Sequence, residues 1–447
     1  MPEQPELGQV VRSVFRAWDA ADIAFLVLRN YEGLPDFTTN DIDVLVAPEQ
    51  RGRAEQVLLA AAREAGFRLH NRAEFATLAL YLSHGESNVQ AHFDLFTALK
   101  WRGFDFLDCR GFLRRRVRDG LFAVPHPADE SATNLLAYLI YTGKVKPKYR
   151  ASITAGFRTE PARVTELLAR TYGSAHAEFL VAAGAKEQWG AIEAATGVLR
   201  RALILRQLIR HPWGTLGSLL SDAGRLVRRF LQPPGLTIVL CGADGCGKST
   251  AAQAVVEGLG GTFSPPKGRH YHWKPPLLSA KRRAARGSAS DPHGQPVRSA
   301  AASLAYFLFH WLEFFLGSHL RFRPVTFRGG LVLVDRYYYD FLVDQRRYRL
   351  RVPLAIVRLG YIPIKKPDLV LLLDAPAAVL QSRKQEVPFA ETERQCRAYR
   401  GVVEDLGNGR VINAAQPAQK VGSDINRAVL DFMAERARKR WPRINHV

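Results

Sequence analysis

The sequence predicts an α/β protein whose second half is built on a parallel sheet, preceded by a small α/β unit and a helical segment. Three observations carry this. Residues 236–241 form an uninterrupted apolar run leading directly into Gly242, four further residues and Gly247-Lys248-Ser249. Two more continuous apolar runs, 331–334 and 369–373, end at Asp335 and Asp374; unbroken rather than alternating runs suit parallel strands covered on both faces. Upstream, strand patterns at 23–28, 42–46 and 91–95 flank a helical pattern at 54–65, and helical periodicity then takes over at 132–141, 162–172 and 199–209.

The chain of 447 residues is too long for one ordinary core. The stretch Leu231-Gln232-Pro233-Pro234-Gly235 cannot continue a helix, so the main boundary is expected there. The expected division is residues 1–128, a helical segment 129–232, and 233–447. The four cysteines, Cys109, Cys241, Cys246 and Cys396, lack the spacing of a disulfide framework or a zinc site and suit a reducing cytoplasm. The opening residues carry acids before the first arginine and no long apolar core, and are not read as a secretory signal. Residues 300–320 are apolar but include His310, Glu313 and His319, short of a clean span of about 20 apolar residues. A buried helix is expected there, with a peripheral membrane contact as the alternative, because apolar residues run nearly all round it. Low complexity at 281–298 suggests a mobile loop.

Lysine and arginine exceed aspartate and glutamate by 63 − 42 = 21, which points to phosphorylated substrates, nucleic acid or anionic lipid. The clusters are dispersed and lack regular aromatic interleaving, which disfavours a dedicated nucleic-acid surface.

The glycine loop carries the chemistry. Gly242, Gly245 and Gly247, with Asp244 and Cys246 between them, let the backbone approach a phosphate chain; Lys248 can reach its β/γ oxygens and Ser249 can sit on Mg²⁺. Thr250 lies in the helix that opens there, whose N-terminus favours the same anion. At Asp335-Arg336-Tyr337 an acid suited to Mg²⁺ stands beside a guanidinium able to grip a second phosphate, unless the two form a structural ion pair. Arg383 and Lys384 follow the strand 369–373 and either fold over the transferred group or remain solvated. Phosphoryl transfer is mostly positioning and charge neutralisation, work for a cage of Lys248, Arg336, Arg383 and Lys384.

These motifs, with Pro367-Asp368-Leu369 and Leu373-Asp374, resemble the thymidylate kinase family over most of 236–447. Residues 411–417 and Val421 are similar to the strand and loop flanking adenine in that family. The resemblance implies a P-loop, nucleoside-monophosphate-kinase-like fold with ATP and Mg²⁺ as cofactors. It also implies a catalytic set of Lys248, Asp335, Arg336 and Arg383, with Arg336 on the acceptor phosphate, Asp244 near the acceptor's sugar and Arg383 as a lid arginine. Gln416 and Pro417 would lie at the nucleotide, and a homodimer is expected. The family's Glu-Pro-Gly element beside the acceptor is replaced here by residues 268–276, which contain His270 and His272. On a strand those histidines share a face, and packing or pocket roles are favoured over metal ligation. With the basic segment 346–349 and the insertion 275–330, this suggests an acceptor larger or more anionic than dTMP.

In the first half, Arg29-Asn30 precedes Asn40-Asp41-Ile42-Asp43, and Asp94 lies on a later strand. A period of two aims Asp41 and Asp43 at one side, and Asp94 can complete a carboxylate cluster for two Mg²⁺. The pattern resembles the nucleotidyltransferase superfold related to DNA polymerase β. Arg29-Asn30 stands where that fold usually has Gly-Ser, and surface acids on an inactive strand are the alternative. Residues 125–130 and 144–149 are similar to the helical segment that follows its catalytic unit, where a lysine contacts phosphate. The expected protein is therefore an ATP-dependent phosphotransferase for a nucleoside monophosphate or another small phosphorylated acceptor, with an attached nucleotidyltransferase-like domain. Polynucleotide end modification, and a sugar-phosphate kinase or nucleotidyltransferase of activated-sugar or polysaccharide biosynthesis, stay open.

Overall fold

The computed structural model describes residues 5–38, 41–87, 89–259, 261–263, 269–275, 277, 293 and 295–442. Asn40, Gly268 and Pro276, and residues 281–292 and 294 of the low-complexity stretch at 281–298, lie outside these residues. The chain divides into two compact units, Met1–Leu231 with Arg436–Val447, and Gln232–Glu435.

The first unit holds a five-stranded sheet of β1 (Phe25–Val27), β2 (Ile42–Val46), β3 (Phe67–Glu74), β4 (Leu78–His84) and β5 (Gln90–Phe96), in the order β1-β2-β5-β4-β3. Only β2 and β5 run parallel within it. Two small hairpins follow, β6 (Leu99–Trp101) with β7 (Phe104–Leu107) and β8 (Val117–Asp119) with β9 (Phe122–Val124). Alternate residues of the first strands feed different cores, as a pleat requires. Phe25, Val27, Val44 and Val46 pack with Phe15, Trp18 and Leu58 of the helices Pro5–Ala20 and Arg51–Glu64. Leu26, Leu28 and Leu45 pack with Leu135, Phe157, Leu168 and Leu203. The helices from Pro127–Thr142 to Thr196–Arg210 therefore share the first unit's sheet.

In the second unit β10 (Leu236–Cys241), β11 (Arg269–Tyr271), β12 (Leu331–Asp335), β13 (Leu369–Asp374) and β14 (Gly409–Asn413) form one sheet in the order β11-β12-β10-β13-β14. Every pairing in it is parallel. Leu236, Ile238 and Leu240 enter one core and Val239 and Cys241 the other, so both faces are covered. Gly242, Arg336 and Ala375 thus leave the carboxyl edge of three neighbouring strands, the edge where such sheets hold ligands. All four cysteines are free thiols.

The helix Ala300–Gly317 is not buried as expected. Its continuation to Phe327 is long and apolar enough by composition to cross a membrane, yet only 33% of that window is buried. Phe307, His310, Glu313 and Phe314 face inward, whereas Leu304, Leu308, Phe309 and Leu312 are exposed. The polar pair turns inward because Lys274, itself buried, meets both His310 and Glu313.

Burial, with Lys274 nearby, pulls the His310 imidazole down from 6.5 to about 4 against the attraction of Glu313. The unfolded chain takes up this proton near pH 6.5 and the native chain only near pH 4. The stabilisation from a neutral His310 is therefore complete above 6.5 and lost as pH falls to 4, a loss on the order of 3 kcal/mol. His310→Gln is expected to flatten this acid limb of a melting temperature-versus-pH curve; a limb as steep as wild type would remove the histidine from the account.

Candidate functional site

β10 ends at Cys241 and the chain turns through Gly242, Gly245 and Gly247, all at positive φ (144°, 84° and 88°), before the helix Lys248–Gly258. At Gly245 nothing larger fits. A Cβ there would stand 2.7 Å from Leu380 O and 3.4 Å from the Lys384 Cβ. The loop is thus seated against the C-terminal end of the helix Ala377–Arg383. At Gly247 the same construction meets open space, and Ser249 and Thr250 are exposed. Lys248 Nζ donates to Gly242 O at 2.9 Å and Ala243 O at 3.0 Å, with Cys246 Sγ at 3.4 Å.

Asp335 and Arg336 do not pair with each other. Asp335, 1% exposed, meets His270 Nε2 at 3.1 Å and His272 Nδ1 at 3.4 Å. Burial would raise its pKa, but the two imidazoles outweigh that and hold the carboxyl at about 2. Arg336 adopts φ 64°, a conformation that costs a non-glycine residue energy and often marks a functional site. Its backbone N–H donates to Leu240 O at 3.0 Å, and its guanidinium turns the other way, onto Asp244 of the glycine loop.

Asp244 is the hinge of this centre. One carboxylate oxygen accepts from Arg336 and the other from Arg347. Although burial opposes ionisation, Arg336 and Arg347 hold the carboxyl well below the usual carboxylate range. Arg347 also meets Asp344 at 3.2 Å and Glu386 at 3.5 Å, and Glu386 meets Lys384 at 2.5 Å. Beneath Arg336, fully buried Asp340 accepts from Tyr399 Oη and Tyr348 Oη at 2.8 Å each and lies 3.5 Å from the Arg336 guanidinium. Arg347 entered the sequence reading only within a basic segment, and Asp340 was not picked out. No helical spacing signals Asp340, because Arg336 at φ 64° stands outside the helix that begins at Asp340.

Arg383 goes elsewhere. Its guanidinium donates to Ala414 O at 2.8 Å, in the loop after β14. Gln416 in that loop donates to Asn413 O and to Asp424, each at 3.2 Å, and Pro417 accepts from the first turn of the helix Ala418–Arg440. Asp374 at the end of β13 is held by Arg400.

In the first unit, Asp43 of β2 lies opposite Asp94 of β5 in the parallel register. His92 joins the carboxylates: its Nδ1 is 2.7 Å from Asp41 and its Nε2 3.2 Å from Asp94. Asp41, His92 and Asp94 each offer a ligand atom, all within 4.8 Å of one another. Asp43 is instead bonded by Arg29 Nε at 2.5 Å. Burial, then the Asp94 charge, pushes its pKa up against Arg29. Asn30, at φ 56°, accepts from Lys148 Nζ at 2.7 Å and Tyr149 Oη at 2.9 Å. His92 is the residue that sequence reasoning passed over, although its two-residue step from Asp94 puts both on one side of β5.

No protein-family model matches the chain. A thymidylate kinase of Xanthomonas campestris pv. campestris is 26% identical over 220 residues, 46% of this chain and 88% of that protein. One from Thermosynechococcus vestitus is 33% identical over 168 residues, 34% of this chain and 65% of its own length. One from Xanthomonas euvesicatoria pv. vesicatoria is 25% identical over 218 residues, 46% of this chain and 88% of that protein. The chain carries a kinase-like region.

Proposed function

We propose that this protein is an ATP-dependent phosphotransferase resembling thymidylate kinase, acting on a nucleoside monophosphate or another small phosphorylated acceptor. The observation that carries the reading is the double engagement of Asp244 by Arg336 and Arg347 in the loop that also positions Lys248. Cations for two phosphate groups thereby flank one turn of chain. The open space at Gly247 and the exposed Ser249 and Thr250 fit a triphosphate at residues 242–250. Ser249 and the ionised Asp335 are the Mg²⁺ candidates, and the ion supplies charge neutralisation when bound. Lys248 orients the donor's terminal oxygens, Arg336 and Arg347 orient the acceptor phosphate, and Asp244 turns to the acceptor's sugar. Arg383, Gln416 and Pro417 line the nucleotide. The reading includes a cytoplasmic homodimer.

A second reading, Mg²⁺-dependent nucleotidyl transfer by residues 1–128, is favoured by the Asp41, His92 and Asp94 grouping with Asp43 alongside. One chain would then phosphorylate a small molecule and join a nucleotide to it, as routes to activated sugars require.

The test is an acceptor screen with ATP·Mg²⁺ over dTMP, other nucleoside monophosphates and sugar phosphates. One acceptor class is expected to drive ADP formation in wild type and to lose that effect in Arg336→Ala. ADP formation that no acceptor stimulates, or that Arg336→Ala leaves intact, overturns the phosphotransferase reading.

A further inference from the structure

A cavity of about 320 Å³ lies wholly within the first unit, between the β6–β7 hairpin and the helices Pro161–Tyr172, Thr196–Arg210 and Pro212–Leu231. Its lining includes five cations, Lys100, Arg110, Arg170, Arg206 and Arg210, and two carboxylates, Asp105 and Asp108. Both carboxylates already have cations of the lining beside them. Asp108 accepts from Arg110 at 2.9 and 3.1 Å and lies 3.8 Å from Arg170, while Lys100 stands 3.6 Å from Asp105.

Arg206 and Arg210 are left over. Among the described residues neither has a carboxylate within ion-pair distance; Arg210 donates only to Arg170 O, at 3.4 Å, and the Arg206 Nε is buried with no hydrogen-bond partner. A desolvated guanidinium N–H without an acceptor is costly, and an anion removes the cost. The two arginines are four residues apart on one helix and both line the cavity, so two guanidiniums are within reach of one phosphomonoester.

We propose that this cavity binds a small phosphorylated molecule of sugar-phosphate size, its phosphate held by Arg206 and Arg210. The volume sits at the lower end of the roughly 300–1,000 Å³ usual for ligand sites, which suits a ligand of sugar-phosphate size. Hydroxyls of Thr215 and Ser218 and the two carboxylates supply partners for the hydroxyls of a sugar. The site uses none of the residues assigned to phosphotransfer or to the carboxylate grouping, so it stands or falls independently of both.

The probes are inorganic phosphate, glucose 6-phosphate and glucose, titrated calorimetrically at constant ionic strength into full-length Lys248→Ala protein, so that binding at the glycine loop is suppressed. Glucose 6-phosphate is expected to bind more tightly than phosphate, glucose not to bind, and Arg206→Gln or Arg210→Gln to weaken glucose 6-phosphate at least about tenfold. Arg210 is exposed, so its variant tests the site even where Arg206→Gln fails to fold. Binding that survives both substitutions places the anion elsewhere and overturns the proposal. So does phosphate binding as tightly as its sugar ester, or no binding by either.

Discussion

Lys248→Ala is expected to lower the rate of acceptor-dependent ADP formation by about 10²–10³-fold, the range seen when one preorganised donor to a developing charge is removed. Among the described residues the side chain donates to the loop carbonyls Gly242 O and Ala243 O and to the Cys246 sulfur and meets no carboxylate, so its loss leaves no buried charge behind. The fold should therefore survive, and circular dichroism with steady-state kinetics separates the two effects. A variant that retains more than a tenth of wild-type turnover would show that the loop lysine does not neutralise the transferred group.

Asp340→Ala is expected to carry the largest stability cost, about 3–5 kcal/mol, because it leaves two buried tyrosine hydroxyls without their acceptor and takes away one of the two carboxylates at Arg336. Asp340 is fully buried and satisfies two tyrosine hydroxyls as well as the Arg336 guanidinium. Its loss strands the two hydroxyls, while Arg336 keeps Asp244 as its carboxylate partner. Asp340→Asn keeps acceptors for the hydroxyls and should cost less, while still loosening Arg336. Denaturant unfolding of the three proteins checks the order; an alanine variant within about 1 kcal/mol of wild type would mean that water replaces the carboxylate.

Unlike the exposed edge strands β11 and β14, the three central strands of the second sheet, β12, β10 and β13, are legible to within about a residue. Continuous apolar runs bounded by glycine or aspartate mark both their length and their burial, as at Leu236–Cys241 and Leu369–Asp374. β3 was not legible, because Arg68, His70, Asn71 and Arg72 mask the alternation and a register shift between Leu69 and Asn71 brings His70 and Asn71 both into the interior. The helix at 300–317 was misjudged for a related reason: an all-round apolar composition does not say which stripe faces in, and here the inward stripe includes the polar pair. At the site, Asp244, Lys248 and Arg336 were legible because each belongs to a contiguous motif. The convergence of Arg336 and Arg347 on one carboxylate was not, since it depends on the left-handed turn at Arg336 and on a segment eleven residues away in sequence. Arg383 is expected over the phosphates from its position after β13 and from the family resemblance; here the helix Ala377–Arg383 directs it to Ala414 O, and Lys384 is the residue against the glycine loop.

Before any substrate arrives, the guanidiniums of Arg336 and Arg347 already embrace an anion, the carboxylate of Asp244. An incoming phosphate dianion must evict this internal stand-in, whereas a water molecule has no charge with which to do so. On the proposed function, the acceptor site is therefore shut to uncharged molecules by its own carboxylate and opens only to an anion able to displace it.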